Sequence, residues 1–323
     1  MYKTLYDRER RKIDARLQNA LKNRQPASLY EPGAYIINSK GKRLRPLLVL
    51  LSAKAVGGNF KQAYNAAVAV ELLHNFTLVH DDIMDHADKR RGRLTLHKKY
   101  DPNTAILTGD SLLSVAYEYL LKDCNGNAKN VIQSFTRGLV EVCEGQSMDT
   151  DFESKKSVTI SDYITMIKKK TAAMSKMCCN IGSTLGGGGK QEVKALSKYG
   201  LNLGIAFQIQ DDLLDITADE IVFGKSIGGD LVEGKKTYLF LKALENAKGE
   251  DKRILKKAID NKGISWRQVK KYKELYIKLG ILDQAGEAIK SYTKRALSSL
   301  NILNDENQKV FYWLADALIK RTR

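Results

Sequence analysis

Proline is the feature that most constrains the fold of this chain. Its 323 residues contain four prolines, Pro26, Pro32, Pro46 and Pro102, and the stretch 103–323 contains none. Proline removes a backbone donor and costs about 3 kcal/mol in a helix interior, so long stretches without it suit helices. The distribution of proline therefore predicts helices over most of the chain.

Hydrophobic spacing supports the same prediction. Apolar residues recur three or four positions apart in many windows, which is the repeat of a helix that packs one face in a core. Glycine-rich or polar clusters at 125–127, 185–190 and 224–236 mark loops, and no linker or low-complexity segment divides the chain. The sequence predicts an all-α protein with a single domain over residues 1–323.

Charge narrows the class of partner. The chain has 54 Lys and Arg against 37 Asp and Glu, a net charge of +17. This excess favours acidic partners such as nucleic acid, an anionic membrane surface or a phosphorylated small molecule. The charged start lacks the apolar region of a signal peptide, and the longest apolar run, Leu47 to Leu51, is too short to span a bilayer. We therefore expect a cytoplasmic protein.

The stretch LVHDDIMD at 78–85 contains three aspartates close together. Asp81 and Asp85 are four positions apart, so on a helix they share one face, with Asp82 beside them. Carboxylates this close repel one another unless a cation neutralises them. Mg²⁺ is commonly bound by one or two carboxylates together with phosphate oxygens of a substrate. A solvated acidic face remains the simpler interpretation of this motif alone.

The same DDxxD pattern returns in FQIQDDLLD at 207–215, as Asp211, Asp212 and Asp215. Both copies follow an apolar helical run, so both are expected on helices that pack in a core. Two such clusters make a poor solvated surface. Together they predict a clamp for several Mg²⁺ ions around one diphosphate.

Basic side chains occur in short groups before, between and after the two aspartate motifs. The groups are Lys42, Arg43 and Arg45; Arg90 and Arg91; Lys169 and Lys170, followed by Thr171; and Lys225 with Lys235. Arginine binds phosphate oxygens through two parallel hydrogen bonds, and lysine acts as a point charge. Any one group could be solvated surface. With the two aspartate motifs they predict two diphosphate sites, one held through metal and one through basic side chains.

The chain resembles the trans-isoprenyl diphosphate synthases of the polyprenyl synthetase family over nearly its whole length. The motifs GKRLRP, HNFTLVHDDIMD with RRG, GDSLL, EGQSMD, KKT, FQIQDD and GKSIGGDLVEGKKT follow in the order of that family. The resemblance implies an all-α fold of the isoprenoid synthase type. This fold is a single large helical bundle around a central cavity, usually a homodimer, with the aspartate motifs facing each other across the cavity.

The resemblance also implies a role for each motif residue. Mg²⁺, as three ions with diphosphate bound, would be held by Asp81, Asp82, Asp85, Asp211, Asp212 and Asp215. The allylic diphosphate would be held by Arg90, Lys170, Lys225 and Lys235. The diphosphate of isopentenyl diphosphate would be held by Lys42, Arg45, His74 and Arg91. Lys170, Thr171 and Gln208 would be the catalytic residues, with Thr171 and Gln208 near the reacting carbons.

The implied reaction condenses isopentenyl diphosphate head-to-tail with dimethylallyl, geranyl or farnesyl diphosphate. Cleavage of the carbon–oxygen bond leaves an allylic cation and a diphosphate, whose developing charge Mg²⁺, Arg and Lys stabilise. The isopentenyl double bond attacks the cation, and the departing diphosphate accepts the proton that is lost. Water must be excluded because it would quench the cation.

In the family that this chain resembles, bulk ahead of the first aspartate motif limits the length of the product. Phe76 lies five residues before Asp81, about 7.5 Å along a helix, and is followed by the small Thr77. One aromatic at this position resembles the archaeal-type geranylgeranyl synthases. The sequence thus favours a C20 product, with the C15 farnesyl product as the alternative, unless Phe76 is only a core residue.

Other interpretations have weaker support. The four histidines, all within 74–97, lack a zinc-ligand spacing. A cyclising terpene synthase would have a different second metal motif, and a catalytically silent subunit of a heteromeric synthase would have lost motif residues. A nucleic-acid-binding protein would explain the charge but not the aspartates. The basic segment 270–278 is solvated surface or, at most, a peripheral contact with anionic membranes.

Overall fold

The computed structural model describes residues 2–39, 41–124, 126–218 and 227–319. Most of these residues are helical. The two strands in these ranges, β1 (Lys89–Arg90) and β2 (Arg93–Leu94), pair antiparallel as one short hairpin. The prediction of an all-α protein is confirmed. Within the same ranges, no helix has both the length and the hydrophobicity needed to span a bilayer.

The first nine α-helices in chain order are α1 (Tyr2–Ala20), α2 (Ala27–Ile37), α3 (Leu44–Ala55), α4 (Tyr64–Met84), α5 (Leu96–Lys99), α6 (Pro102–Lys122), α7 (Ala128–Ser154), α8 (Ile160–Ile167) and α9 (Ala173–Leu185). The later ones are α10 (Lys190–Thr217), α11 (Gly229–Val232), α12 (Tyr238–Asn246), α13 (Gly249–Asp260), α14 (Val269–Lys278), α15 (Ile281–Ser298) and α16 (Asp305–Ile319). A π-helical segment, Lys168–Ala172, joins α8 to α9, and short 3₁₀ turns occupy Phe60–Ala63 and Trp266–Gln268.

These elements form two compact units. The first comprises Met1–Arg137, Met177–Ser197 and Ile302–Val310, and the second comprises Gly138–Lys176, Lys198–Asn301 and Phe311–Arg323. Each unit is described by itself below. That both belong to one domain over residues 1–323 stays a prediction.

The first unit is built on α4, which packs against α3 and α6. Every residue from Ala66 to Val70 is fully buried, so this part of α4 is a core helix on all sides. The first aspartate motif follows on the same helix. Packing of the apolar part therefore fixes where the aspartates lie. Helix α6 begins at Pro102, and the side chain of Asp101 caps it by accepting from the backbone N–H of Thr104 at 2.9 Å.

The second unit has its own apolar core. Buried side chains from α8, α12, α14 and α15 meet there, among them Tyr163, Phe240, Tyr276 and Ile281. Helix α8 begins with a capping box, in which Thr159 and Asp162 each accept from the other's backbone N–H. This start sets the position of Tyr163 one turn into the helix.

Candidate active site

The first aspartate motif occupies the last turn of α4. The helix ends at Met84, Asp85 is the C-cap, and His86 turns the chain away with a φ of 51°. The C-terminus of a helix carries partial negative charge, so an acidic side chain there costs about 0.3–1 kcal/mol. Three aspartates in this position therefore destabilise the helix. Such a cluster is typical of a site where a bound cation neutralises the carboxylates.

Arg90 on β1 holds two of these carboxylates. Its Nε donates to Asp82 Oδ1 at 2.6 Å, and its Nη2 lies 3.3 Å from Asp81 Oδ2. Asp82 is only 2% exposed, and burial raises its pKa while the charge of Arg90 opposes that rise. Asp81 is half-buried and Asp85 is exposed. The buried Asp82 thus anchors Arg90, while Asp81 and Asp85 are the more accessible oxygen donors.

Arg45 and His74 form a second pair in the first unit. Arg45 Nη1 lies 3.1 Å from His74 Nε2. Burial, and then the positive charge of Arg45, hold the pKa of His74 well below its ordinary value. The imidazole is therefore neutral, and its Nε2 accepts the hydrogen bond from Arg45. This contact orients the guanidinium without adding a like charge beside it.

Arg43 has a structural role in the GKRLRP motif, which also contains Arg45. Its φ of 48° is in the left-handed region, and its side chain is almost fully buried. The guanidinium donates to Asp14, Glu71 and the carbonyl of Ile37, each at 2.7 Å. These bonds fix the loop between α2 and α3. They leave Lys42 exposed on one side and Arg45 beside His74 on the other.

Arg91 lies against this loop. Its Nη1 is 3.4 Å from the hydroxyl of Ser39, and a Cβ on Gly41 would stand 3.0 Å from the same nitrogen. Arg45, Arg91, Arg90 and Arg43 all act electrostatically on His74. Within the first unit, the structure therefore brings Arg45, His74 and Arg91 into one cationic cluster, with Lys42 on the adjoining loop.

Phe76 is held in place by a close crossing of α4 and α6. Its ring lies 4.6 Å from the ring of His80, centroid to centroid. A Cβ on Gly109 of α6 would stand 2.4 Å from His80 Nε2 and 3.6 Å from Phe76, so only glycine fits there without displacing the histidine. The hydroxyl of Thr77 donates back to the carbonyl of His74 at 2.8 Å. Phe76 is thus packed by His80 on its own helix.

In the second unit, the KKT motif lies on the π-helical segment. A Cβ on Gly145 would stand 2.1 Å from the backbone N of Lys170, and one on Gly204 would stand 2.6 Å from Ala172 Cα. The glycines of α7 and α10 thus allow both helices to approach this segment closely. Lys170 Nζ lies 2.5 Å from Asp149 Oδ2, the last residue of EGQSMD. Single-turn π segments are frequent at functional sites.

A chain of hydrogen bonds connects the KKT motif to the second aspartate motif. Thr171 Oγ1 donates to Gln208 Oε1 at 2.9 Å, and Gln208 Nε2 donates to Asp212 Oδ1 at 3.1 Å. The other oxygen of Asp212 accepts from the hydroxyl of Tyr163 at 2.6 Å and from the backbone N–H of Tyr238 at 2.9 Å. The Gln208 amide is therefore oriented from both ends.

Asp212 is the buried member of its motif, as Asp82 is of the first. Burial, with the negative charge of Asp230 adding to it, raises the pKa of Asp212 to about 7. Asp211 and Asp215 are only half-buried. The backbone N–H of Asp230 lies 3.3 Å from Asp215 Oδ2, at the start of α11. The accessible carboxylates of this motif are therefore Asp211 and Asp215, with Asp230 close by.

The remaining predicted residues are placed as follows. Lys235 is half-buried; its backbone N–H donates to the carbonyl of Asp230 at 2.8 Å and its Nζ pairs with Glu233 at 2.8 Å. Lys225 lies outside the described residues. Asp149, Tyr163 and Asp230 contact predicted residues of the site, although the sequence had not singled them out. Asp149 and Asp230 stand within family motifs, EGQSMD and GKSIGGDLVEGKKT, and could have been found there, whereas nothing marked Tyr163.

The donor set suits a hard divalent cation. Each motif offers accessible carboxylate oxygens from two aspartates, Asp81 with Asp85 and Asp211 with Asp215. Mg²⁺ takes oxygen ligands and completes its shell with water or phosphate oxygens, so one or two carboxylates per ion are enough. Among the described residues, no three His, Cys, Asp or Glu side chains form a ready metal cluster.

Comparison with known proteins gives consistent matches. The model of the Polyprenyl synthetase family matches residues 26–276. A geranylgeranyl diphosphate synthase of Sulfolobus acidocaldarius is 40% identical over 302 residues, 91% of each chain. A geranylfarnesyl diphosphate synthase of Natronomonas pharaonis is 40% identical over 255 residues, 73% of this chain and 74% of its own. The crystal structure of a geranylgeranyl pyrophosphate synthetase from Pyrococcus horikoshii has a TM-score of 0.91 at 38% identity and covers 99% of both chains.

Proposed function

This chain belongs to the polyprenyl synthetase family, as a trans-prenyltransferase with the all-α isoprenoid synthase fold, and from this we propose that it is a Mg²⁺-dependent geranylgeranyl diphosphate synthase. It condenses isopentenyl diphosphate with dimethylallyl, geranyl and farnesyl diphosphate in turn, to a C20 product. The observation that carries the proposal is the cationic cluster of Arg45, His74 and Arg91. A second diphosphate needs such a site of its own, apart from the carboxylates.

The two kinds of site divide the work of the reaction. Asp81, Asp85, Asp211 and Asp215 would hold Mg²⁺, which when bound would neutralise charge on the leaving diphosphate. Asp82 positions Arg90 and Asp212 positions Gln208. Arg90, Lys170, Lys225 and Lys235 bind the allylic diphosphate. Lys42, Arg45, His74 and Arg91 bind the diphosphate of isopentenyl diphosphate.

The hydrogen bonds that connect Thr171, Gln208 and Asp212 support the formation of the new carbon–carbon bond. The allylic carbon–oxygen bond breaks, its electron pair leaves with the diphosphate, and the isopentenyl double bond forms the new carbon–carbon bond. The backbone carbonyl of Thr171 and the side chain of Gln208 stabilise the allylic cation through their dipoles. Because Thr171 and Asp212 hold both ends of the Gln208 amide, this dipole is fixed before the cation forms. The proton that is lost goes to the diphosphate.

The proposed C20 product depends on Phe76. The ring packs on His80, and the lack of a side chain at Gly109 leaves room for His80. These contacts fix the position of the floor that Phe76 would form under the growing product. The relatives at 40% identity include both a geranylgeranyl and a geranylfarnesyl diphosphate synthase. Substitution at Phe76 therefore tests product length directly.

The deciding experiment is product analysis. Purified protein is incubated with Mg²⁺, labelled isopentenyl diphosphate and each allylic starter in turn, and the products are dephosphorylated and sized. A C20 product with wild type, longer products with Phe76→Ala and an unchanged C20 product with Phe76→Leu support the proposal. A C15 or C25 product from wild type would contradict the chain length. The absence of condensation by folded protein would favour the silent-subunit alternative.

Chelation of Mg²⁺ should abolish turnover, and added Mg²⁺ should restore it.

The exposed face of α6 supports the proposal of a homodimer. Ile106, Leu107 and Leu121 are large apolar side chains exposed on this helix, and their spacing puts them on one face. Exposed apolar surface of this kind fits contact with a second copy of the chain. Light scattering after size exclusion should give twice the mass of one chain, and a Leu107→Glu variant should shift the mass toward the monomer.

A further inference from the structure

The segment 249–278 of the second unit has an unusual concentration of positive charge. It contains ten basic and four acidic side chains, a net charge of +6 within a total of +17 for the whole chain. The segment forms α13, the 3₁₀ turn Trp266–Gln268 and α14. A third of the net charge thus lies in about a tenth of the sequence, and no residue with a role in the proposed reaction is among them.

Helix α14 buries one face and exposes the other. Val269, Tyr272, Leu275 and Tyr276 are buried, and the hydroxyl of Tyr272 donates to the carbonyl of Ile254, which ties α14 to α13. The exposed face is therefore held rigidly by the core of the unit.

Two large apolar side chains lie on the exposed side. Trp266 is 53% exposed and Ile277 is 56% exposed. Lys270 and Ile277 are seven residues apart, two helical turns, so they share one face of α14, and Lys271 flanks it. Trp266 precedes this face in the turn that leads into the helix. The result is a lysine-rich face with an apolar residue at each end, which we call the basic face.

The lysines of the basic face are available to a partner. Lys278 pairs with Asp251 at 2.7 Å, and Arg253 lies 3.5 Å from Glu250. Between residues 227 and 319, by contrast, no ion pair engages Lys270 or Lys271. Their charge is not neutralised within this part of the chain.

We propose that the basic face docks the enzyme on an anionic lipid bilayer. Lysine and arginine are attracted to the negative surface potential of such a bilayer, and tryptophan prefers the level of the lipid headgroups. An exposed isoleucine beside them inserts into the same interface. Nucleic acid would pair with the lysines but would leave Ile277 exposed to water. A lipid surface would contact both the lysines and the apolar side chains, so it accounts for more of the residues of the basic face.

Docking at this face goes beyond the proposed reaction and does not depend on turnover. A C20 prenyl diphosphate has a long apolar tail and a charged head, so a bilayer is where it partitions after release. An enzyme bound at the bilayer surface would deliver this product without a passage through water.

The test is co-sedimentation of the full chain with vesicles. Wild type should bind vesicles of equimolar phosphatidylglycerol and phosphatidylcholine at low salt and should lose this binding at high salt. It should not bind vesicles of pure phosphatidylcholine. The variants Trp266→Ser/Ile277→Ser and Lys270→Glu/Lys271→Glu should each weaken binding about tenfold or more. Circular dichroism and turnover of soluble substrates should stay unchanged in both.

A matched control separates the basic face from total charge. Lys190→Glu/Lys194→Glu makes the same change in net charge at two exposed lysines of α10, in the first unit. Its vesicle binding should stay within about twofold of wild type. Equal loss in this control, or no binding of wild type to anionic vesicles, would overturn the proposal. Retention on DNA that depends on the lysines but not on Trp266 and Ile277, without vesicle binding, would assign the face to nucleic acid instead.

Discussion

Removing the hydroxyl of Tyr163 should destabilise the protein through Asp212. Tyr163 is buried, and its hydroxyl donates to Asp212 Oδ2 at 2.6 Å, a length typical of a charge-assisted bond. Above the raised pKa of about 7, the carboxylate is ionised. A hydrogen bond to a charged group contributes about 1.5–3 kcal/mol. Tyr163→Phe should therefore lower the free energy of unfolding by that amount at pH about 8.5, since at this pH Asp212 is the charged acceptor.

The chain provides a matched control at Tyr276. This tyrosine is equally buried in the second unit, and within the described residues its hydroxyl has no hydrogen-bond partner. Tyr276→Phe removes the same atom but no bond, so it should be neutral or slightly stabilising. Urea denaturation followed by circular dichroism measures both variants. If Tyr163→Phe costs no more than Tyr276→Phe, the Tyr163–Asp212 bond contributes nothing and our account of Asp212 is wrong.

Two further predictions follow from the site. Native His74 stays neutral, while the unfolded chain binds a proton below pH about 6.5, so stability should fall by about 1.4 kcal/mol per pH unit on acidification below that value. His74→Gln should flatten this part of the stability profile measured between pH 7 and 5, and an unchanged slope would rule out His74 as its source. Gly145→Ala would push a Cβ into the backbone of Lys170 and should cost about 1–3 kcal/mol as well as turnover. Gly286→Ala, in open space on α15, should instead stabilise by about 0.4–1 kcal/mol when both variants are measured by urea denaturation.

Helical structure and the chemical character of the site could both be predicted from the sequence. Helices follow from local rules, namely the absence of proline after Pro102 and the apolar repeat, and these rules need no knowledge of the packing. The DDxxD spacing likewise puts Asp81 and Asp85 on one helix face wherever the helix lies. The residue types alone then point to metal and diphosphate.

The roles of neighbouring residues within a motif were decided by tertiary structure. Asp81 and Asp82 are adjacent and chemically identical, yet only Asp82 is buried, and Arg90 from the hairpin lies closer to Asp82, at 2.6 Å, than to Asp81, at 3.3 Å. Asp212 is buried because Tyr163 comes from another helix. No local pattern specifies which side of a helix will receive such a partner.

The close contacts of the site were also decided by packing. KKKTA has no sequence mark of a π-helix, and its geometry accompanies two helices that approach at Gly145 and Gly204. The sequence by itself determined that this chain is helical, and its aspartate motifs and basic groups predict a site for Mg²⁺ and two diphosphates. Only the tertiary structure decided which carboxylates are accessible and which orient their neighbours, because burial depends on residues distant in sequence.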